Sequence, residues 1–268
     1  MTEGPQLHVV TKGEAAGPAV VFLHGFLGAG DDWDEVVGEV ARDFHCIAID
    51  LPGHGGSVGL GDDCAYTFDG AAEGVIAALE VRKISSAILV GYSMGGRLAL
   101  QLAVNHPGRW RGLVLESASP GLATEVERAE RVVADEGWVR QLEARPFEGF
   151  LTEWYAQPVF RERLAAGSPS KSVLARRQKN DPTELVRALR GMGLGRQPSL
   201  WKELEALKIP MLLVAGADDP KFVEISVRMA CLFPNASRVI VPGAGHHVHG
   251  DEPAAFLREL RAFLKTLK

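Results

Sequence analysis

Cysteine is scarce in this chain: Cys46, Cys64 and Cys231 are the only three in 268 residues. An odd number at wide spacing excludes a disulfide framework and offers no metal-ligand pattern, so these are expected to be reduced, mostly buried thiols. Long apolar runs are missing as well. None approaches the roughly 20 residues that span a bilayer, and no membrane partner is expected. Met1-Thr2-Glu3-Gly4-Pro5 has neither a basic n-region nor an apolar h-region, so a cytoplasmic location is expected. Positive charge is in deficit, with 29 Lys and Arg against 34 Asp and Glu, which argues against nucleic acid as the main partner. The phosphate-binding glycine fingerprint is absent, and neither a metal nor a nucleotide or flavin cofactor is expected. What the chain does have is length and apolar content, 46% hydrophobic, enough for one core or a core with a small insertion. A monomer acting on a small molecule is the expectation.

Short apolar runs alternate with helical patterns. The expected strands are Leu7–Val10, Ala19–Leu23, Cys46–Ile49, Ala87–Val90, Gly112–Leu115, Met211–Ala215 and Arg238–Val241. Most are continuous apolar runs, the mark of parallel strands covered on both faces. Between or after them lie helical patterns at Trp33–Arg42, Phe68–Leu79, Arg97–Asn105, Val223–Phe233 and Ala254–Leu267. This alternation predicts an α/β fold with a mostly parallel central sheet. Residues 122–200 break it. They show helical segments at Thr124–Ala144, Phe147–Ala156, Pro158–Ala165, Ser172–Lys179 and Thr183–Met192 and no convincing strand. The organisation expected is a core of residues 1–121 and 201–268 with a helical cap insertion, 122–200, over the carboxyl ends of the strands, where such sheets bind ligands.

Gly91-Tyr92-Ser93-Met94-Gly95-Gly96 follows an apolar strand and opens a helix. That is the setting of the Gly-x-Ser-x-Gly nucleophile elbow, where a sharp turn lifts the serine hydroxyl clear of the sheet. Serine needs a base, and the base an orienting acid. Asp218-Asp219 follows the strand ending at Ala215, and His246-His247 follows the strand ending at Val241, so the chain order is Ser, Asp, His. Asp219 is the first choice of acid and Asp218 the second; His246 is preferred to His247. Glu116, at the end of another strand, ranks third as the acid and otherwise reads as a buried carboxylate satisfied by loop amides; His249 reads as a helix-start or surface residue, and His8, His45 and His106 as structural or surface groups. His24-Gly25-Phe26, directly after a strand, supplies a backbone amide facing the elbow. The expected oxyanion donors are the amides of Phe26 and Met94. Asp50–Ser57 reads as a structural loop shaping the pocket wall.

On these motifs the chain resembles the α/β-hydrolases over nearly its whole length. The fold hosts many chemistries, so activity must be read from the site. Arg97 sits one turn after Ser93 in a helix otherwise rich in Ala and Leu, and a buried guanidinium is costly unless an anion pairs with it. Either a local carboxylate or a substrate carboxylate would serve. Arg131 and Asp135 have the spacing of a helix surface pair, and Arg176–Asn180 could be a solvated basic run. Yet Gly91–Arg97, Glu116 through Leu122, Arg131 with Asp135, Trp154–Phe160, Arg177 with Asn180, Gln197–Trp201 and Asp219–Phe222 together resemble one family closely, the 2-succinyl-6-hydroxy-2,4-cyclohexadiene-1-carboxylate synthases of menaquinone biosynthesis. The resemblance implies elimination of pyruvate from a tricarboxylate substrate, with Ser93 as base through His246 and Asp219. It further implies that Arg97, Arg131 and Arg177 grip carboxylates, that Trp154 packs on or donates to the substrate, and that Tyr92 lines the pocket. The alternative is a serine hydrolase acting on an ester or a carbon–carbon bond. A third reading, a non-enzymatic receptor on this fold, fits the arginine-rich insertion poorly.

Overall fold

The computed structural model describes residues 6–160, 169–233 and 235–267. Its centre is a sheet of seven strands: β1 (Val9–Lys12), β2 (Ala19–Leu23), β3 (His45–Ile49), β4 (Ala87–Tyr92), β5 (Trp110–Glu116), β6 (Met211–Gly216) and β7 (Ala236–Val241). The spatial order is β1-β3-β2-β4-β5-β6-β7, all parallel except β1, which runs antiparallel to β3 with Val9 opposite Ile49. β4 and β6 are buried at every position, as strands covered on both faces must be. The first strand lies two residues later than its apolar pattern suggests. Leu7 is buried in the core ahead of it, and β1 itself is mostly exposed, so its pairing with β3, not burial, defines it.

Helices α1 (Asp34–Val40), α2 (Phe68–Val81) and α3 (Met94–Asn105) fall between the first five strands. α2 and α3 pack on one face of the sheet, where Val75, Leu79, Leu98 and Leu102 meet Leu89 and Leu113. α1 covers the other face together with α10 (Pro253–Lys265), and there Val36, Val40, Phe256 and Leu260 meet Val20, Ile88 and Val114. Between β5 and β6 come α4 (Glu125–Ala144), α5 (Phe147–Tyr155), α6 (Lys171–Arg177) and α7 (Pro182–Met192). The expected helix at Pro158–Ala165 falls mostly outside the described residues. α4 starts at a capping box, Thr124 and Glu127 satisfying each other's amides, which fixes where the chain turns into the helix. These helices bury their own apolar cluster of Val139, Leu142, Phe150, Leu151, Leu185 and Leu189, which reaches the core at Leu27 and Phe26. The glycines at 191–195 mark a helix end pressed against its neighbours. A Cβ at Gly191 would meet Tyr66 O at 2.1 Å. α8 (Pro220–Leu232) and the short α9 (Val248–Asp251) complete the molecule. Among the described residues no helix is long and apolar enough to cross a membrane. One expectation about thiols fails: Cys46 is buried, but Cys64 and Cys231 are exposed, because they lie on the outer faces of a short helical turn and of α8.

Candidate active site

Ser93 stands between β4 and α3 with φ 49° and ψ −110°, a strained conformation for a residue with a side chain. The surrounding glycines make it possible. A Cβ at Gly91 would meet Gly95 O at 2.6 Å, and one at Gly95 would meet Leu23 O at 2.3 Å, so any side chain there would force the elbow open. The Ser93 N–H donates to Glu116 O on the neighbouring strand at 2.9 Å, which ties the turn to β5. Met94 is the first residue of α3, and its N–H has no acceptor within the helix.

β6 and β7 bring up the other two groups. His246 Nε2 lies 3.0 Å from Ser93 Oγ, and its Nδ1 lies 2.7 Å from Asp219 Oδ2. Donation from Nδ1 to the carboxylate leaves Nε2 as the acceptor facing the hydroxyl. Asp219 also caps α8: its Oδ1 accepts the Phe222 N–H at 3.3 Å. Asp218 lines the cavity beside it but is not within the His246 hydrogen bond. His246 is walled by Phe160, Phe222 and Tyr92.

The loop after β2 is held by two buried histidines. His24 Nε2 accepts the Leu51 N–H at 2.9 Å while its Nδ1 donates to Gly25 O. His54 Nε2 accepts the Leu27 N–H at 3.2 Å while its Nδ1 donates to Pro52 O. Burial lowers the His24 pKa and pushes that of His54 down to about 3, so both remain neutral and serve as paired donor and acceptor. The Gly28 N–H closes a turn on Gly25 O. The Phe26 amide, between these anchored groups, has no acceptor among the described residues. Asp50 ties the same loop to its own, accepting the N–H groups of Gly30 and of Gly56.

A cavity of about 580 Å³ opens over Ser93. Phe26, Met94, Trp154, Phe160, Trp201 and Phe222 supply apolar wall, and Arg97, Arg131, Lys221 and Arg228 supply positive charge. Arg97 donates to Met192 O at 3.2 Å and lies over the Phe68 ring. No carboxylate among the described residues is within ion-pair distance of it. Burial and nearby Arg131 push its pKa down to about 10, against the opposing pull of Asp135. Burial and Arg131 lower the Lys221 pKa too. Lys221, Arg228 and Trp201 were not singled out by sequence reasoning as cavity groups; Gln197–Trp201 and Asp219–Phe222 were the only signal. Among the described residues no cluster of three or more metal-ligating side chains occurs.

Four expectations need correction. Arg177 does not line this cavity. It is buried beside it, donating from Nη1 to Asp32 Oδ1 at 2.7 Å and from Nε to Tyr155 Oη at 3.2 Å. Burial alone would lower its pKa; Asp32 and Tyr155 outweigh that and raise it, and Arg177 in turn overcomes burial to hold the Asp32 carboxyl well below its usual range. A guanidinium so enclosed requires an internal anion, and Asp32 is that anion. The run around it is solvated only in part: Gln178 and Lys179 are exposed, while Asn180 donates to Leu27 O at 2.8 Å. Tyr92 likewise faces a second, much smaller pocket shared with Arg177, Tyr155 and His247, and its ring stacks on His247. His249 is neither at the surface nor free. It is buried against Trp33, and Glu116 accepts both its N–H, at 3.0 Å, and its Nδ1–H, at 2.6 Å. Glu116 is thus bonded to His249, and Asp219 is the carboxylate bonded to His246. Burial and His249 hold His247 well below the usual histidine range.

The strand-turn-helix elbow and the loops that converge on it define the class, an α/β hydrolase, and the family model of the alpha/beta hydrolase fold matches residues 18–253. The relatives are narrower. The chain is 36% identical to 2-succinyl-6-hydroxy-2,4-cyclohexadiene-1-carboxylate synthase of Serratia proteamaculans, covering 96% of each, and 34% identical to that of Escherichia coli, covering 97% of this chain and 99% of that one. It superposes on MenH from S. aureus with a TM-score of 0.90 at 32% identity, over 97% of this chain and 98% of that one. Within the α/β hydrolases the chain belongs to the family of these synthases. The enol-lactonase from Burkholderia xenovorans LB400, 19% identical with a TM-score of 0.81, shares the fold.

Proposed function

We propose that this protein is a cytoplasmic carbon–oxygen lyase of menaquinone (vitamin K2) biosynthesis, converting 2-succinyl-5-enolpyruvyl-6-hydroxy-3-cyclohexene-1-carboxylate to 2-succinyl-6-hydroxy-2,4-cyclohexadiene-1-carboxylate and pyruvate. Residues 122–200 are its cap and the remainder its core. The observation that carries the reading is the meeting of two kinds of chemistry in one cavity. A Ser–His–Asp line lies at its floor, and four cations lie on its wall, of which Arg97, Lys221 and Arg228 have no carboxylate partner among the described residues while Arg131 has Asp135. A simple ester hydrolase needs the first and has no use for the second.

In this reading Ser93, His246 and Asp219 form the catalytic triad. His246 takes the Ser93 proton, Asp219 steadies the imidazolium, and the serine oxygen removes the proton from ring carbon 2, beside the succinyl carbonyl. Charge develops on that carbonyl oxygen, and the amides of Phe26 and Met94 form the oxyanion hole that stabilises it. The C–H electrons then form the 2,3 double bond and the former 3,4 double bond shifts to 4,5. The carbon–oxygen bond at position 5 breaks and enolpyruvate departs, taking a proton from the imidazolium and tautomerising to pyruvate. Nothing is acylated. Arg97 and Arg131 take substrate carboxylates, each by paired N–H bonds, and Trp154, tilted against Phe26 with ring centroids 4.9 Å apart, closes over the ring. Arg177 orders the cap rather than touching substrate, and Tyr92 acts from behind His246.

The test is pyruvate release from the enzymatically generated substrate, measured beside hydrolysis of a nitrophenyl ester. Fast release that depends on Ser93, with feeble esterase activity, is the expected result. Ester hydrolysis without pyruvate would return the protein to the serine hydrolases.

A further inference from the structure

The chemistry above leaves one buried carboxylate at the positive wall of the cavity without a task. Asp135 lies on α4 one turn after Arg131. Its Oδ1 accepts the Arg131 Nε–H at 2.7 Å, and its Oδ2 accepts the Gly195 N–H at 3.1 Å. A pair at this spacing is ordinarily a solvated surface contact. Here the carboxylate side chain is only 7% exposed against 34% for the arginine, and both oxygens are engaged. The loop beyond α7 presses on it. A Cβ at Gly193 would meet Asp135 Oδ2 at 2.6 Å, and one at Gly195 would meet the Val132 N at 2.5 Å. The carboxylate has little room to turn.

A guanidinium has more than one hydrogen-bonding edge. Asp135 engages Arg131 at Nε. The edge formed by the two terminal nitrogens remains, on a residue that lines the cavity beside Arg97, and no second carboxylate among the described residues is within ion-pair distance. Glu127, also on the cavity wall, is occupied with Thr124 at the start of α4. We infer that Asp135 is a positioning residue: it clamps Arg131 by Nε so that the opposite edge of the guanidinium faces the cavity, ready for one carboxylate of the substrate. The inference deepens the function proposed above and rests on it. Asp135 contributes in a second way, since its charge also offsets the repulsion between Arg97 and Arg131. Two cations can thereby share one wall before any ligand arrives.

The test is equilibrium binding, so that it does not depend on turnover. The probe is 2-succinylbenzoate, a stable dicarboxylate with the ring and side chain of the product, titrated calorimetrically into wild type, Asp135→Asn, Arg131→Ala and the double variant, each checked for an intact melting transition. Asp135→Asn is expected to weaken binding about tenfold, the scale of one charge-assisted hydrogen bond, and to add nothing once Arg131 is gone. Equal losses in both backgrounds would make Asp135 a merely structural residue and overturn the inference. Unweakened binding in Asp135→Asn, or no binding to wild type, would overturn it too. Should Asp135→Asn fail to fold, Arg131→Lys carries the test. It keeps the charge but cannot offer a second edge, and binding as tight as wild type would refute the clamp. Pyruvate release by the wild type is measured separately and decides the proposed function alone.

Discussion

Asp219 divides its two oxygens between a histidine and a helix start. Asparagine there would keep an acceptor for the helix but could turn its amide nitrogen toward His246, favouring the wrong tautomer. Asp219→Asn is therefore expected to leave the melting temperature nearly unchanged while lowering kcat by about 10³- to 10⁴-fold. Ser93→Ala should abolish pyruvate release with the fold intact; a variant retaining even a tenth of the activity would exclude serine as the base. The two arginines make a sharper contrast. Arg97 has no internal carboxylate partner, so Arg97→Ala strands no buried anion. It should lower kcat/KM by a hundredfold or more, in line with about 3 kcal/mol for an enclosed charge pair with ligand, at little cost in stability. Arg177→Ala would leave the buried Asp32 with only the longer contact to Arg176, at 3.5 Å, and a loss of about 3 kcal/mol is expected. Urea unfolding of both variants, set beside their kinetics, checks the pair. If Arg177→Ala were as stable as wild type, the Asp32 contact would not be structural.

At the scale of elements, the glycines sort into those that backbone approach demands and those that it does not. Gly95→Ala would drive a methyl group into a main-chain carbonyl and should cost about 3 kcal/mol or prevent folding, since a packed backbone cannot move aside. On α4 and α5, Gly137 and Gly149 meet at most the tip of an arginine at 3.9 Å. Gly137→Ala and Gly149→Ala should each stabilise by about 0.5–1 kcal/mol through helix propensity, readable as a shift in the urea midpoint. The same division governs what could be read from the chain alone. β4 and β6 announce themselves because they are apolar throughout and bounded by glycine-bearing turns. β1 does not, because its exposed residues carry no burial pattern and its register comes from β3. Ser93, Asp219 and His246 were legible as a set because each ends a strand on the same side of a parallel sheet. The Arg177–Asp32 bond was not, since it joins residues 145 apart and no local periodicity encodes that meeting. Likewise nothing in the spacing of His247 and His249 distinguishes a part-buried pair bonded to each other, 3.0 Å between ring nitrogens, from two surface groups.

For the molecule as a whole, three enclosed histidines set the acid limit. Burial lowers the pKa of His24, His54 and His247 in the native state, while the unfolded chain binds protons at each with a pKa near 6.5. Between the lowered native values and about 6.5 the unfolded state holds more protons, so stability rises with pH across that window and is lost as pH falls through it. For His54, with its native value about 3, the slope approaches 1.4 kcal/mol per pH unit in mid-window. Urea midpoints taken at pH 7, 6 and 5 should therefore fall steadily. A midpoint constant over that range would mean that these rings are not held neutral.

The strand order carries one more consequence. From β4 onward, neighbours in space are neighbours in the chain, so the growing sheet can extend outward one edge at a time as the polypeptide leaves the ribosome. The serine emerges early and its histidine 153 residues later. Until the last strand docks and delivers that imidazole, the elbow holds an inert alcohol. In the proposed mechanism reactivity therefore waits until the outermost edge of the sheet has closed, and a nascent or truncated chain would carry no stray nucleophile.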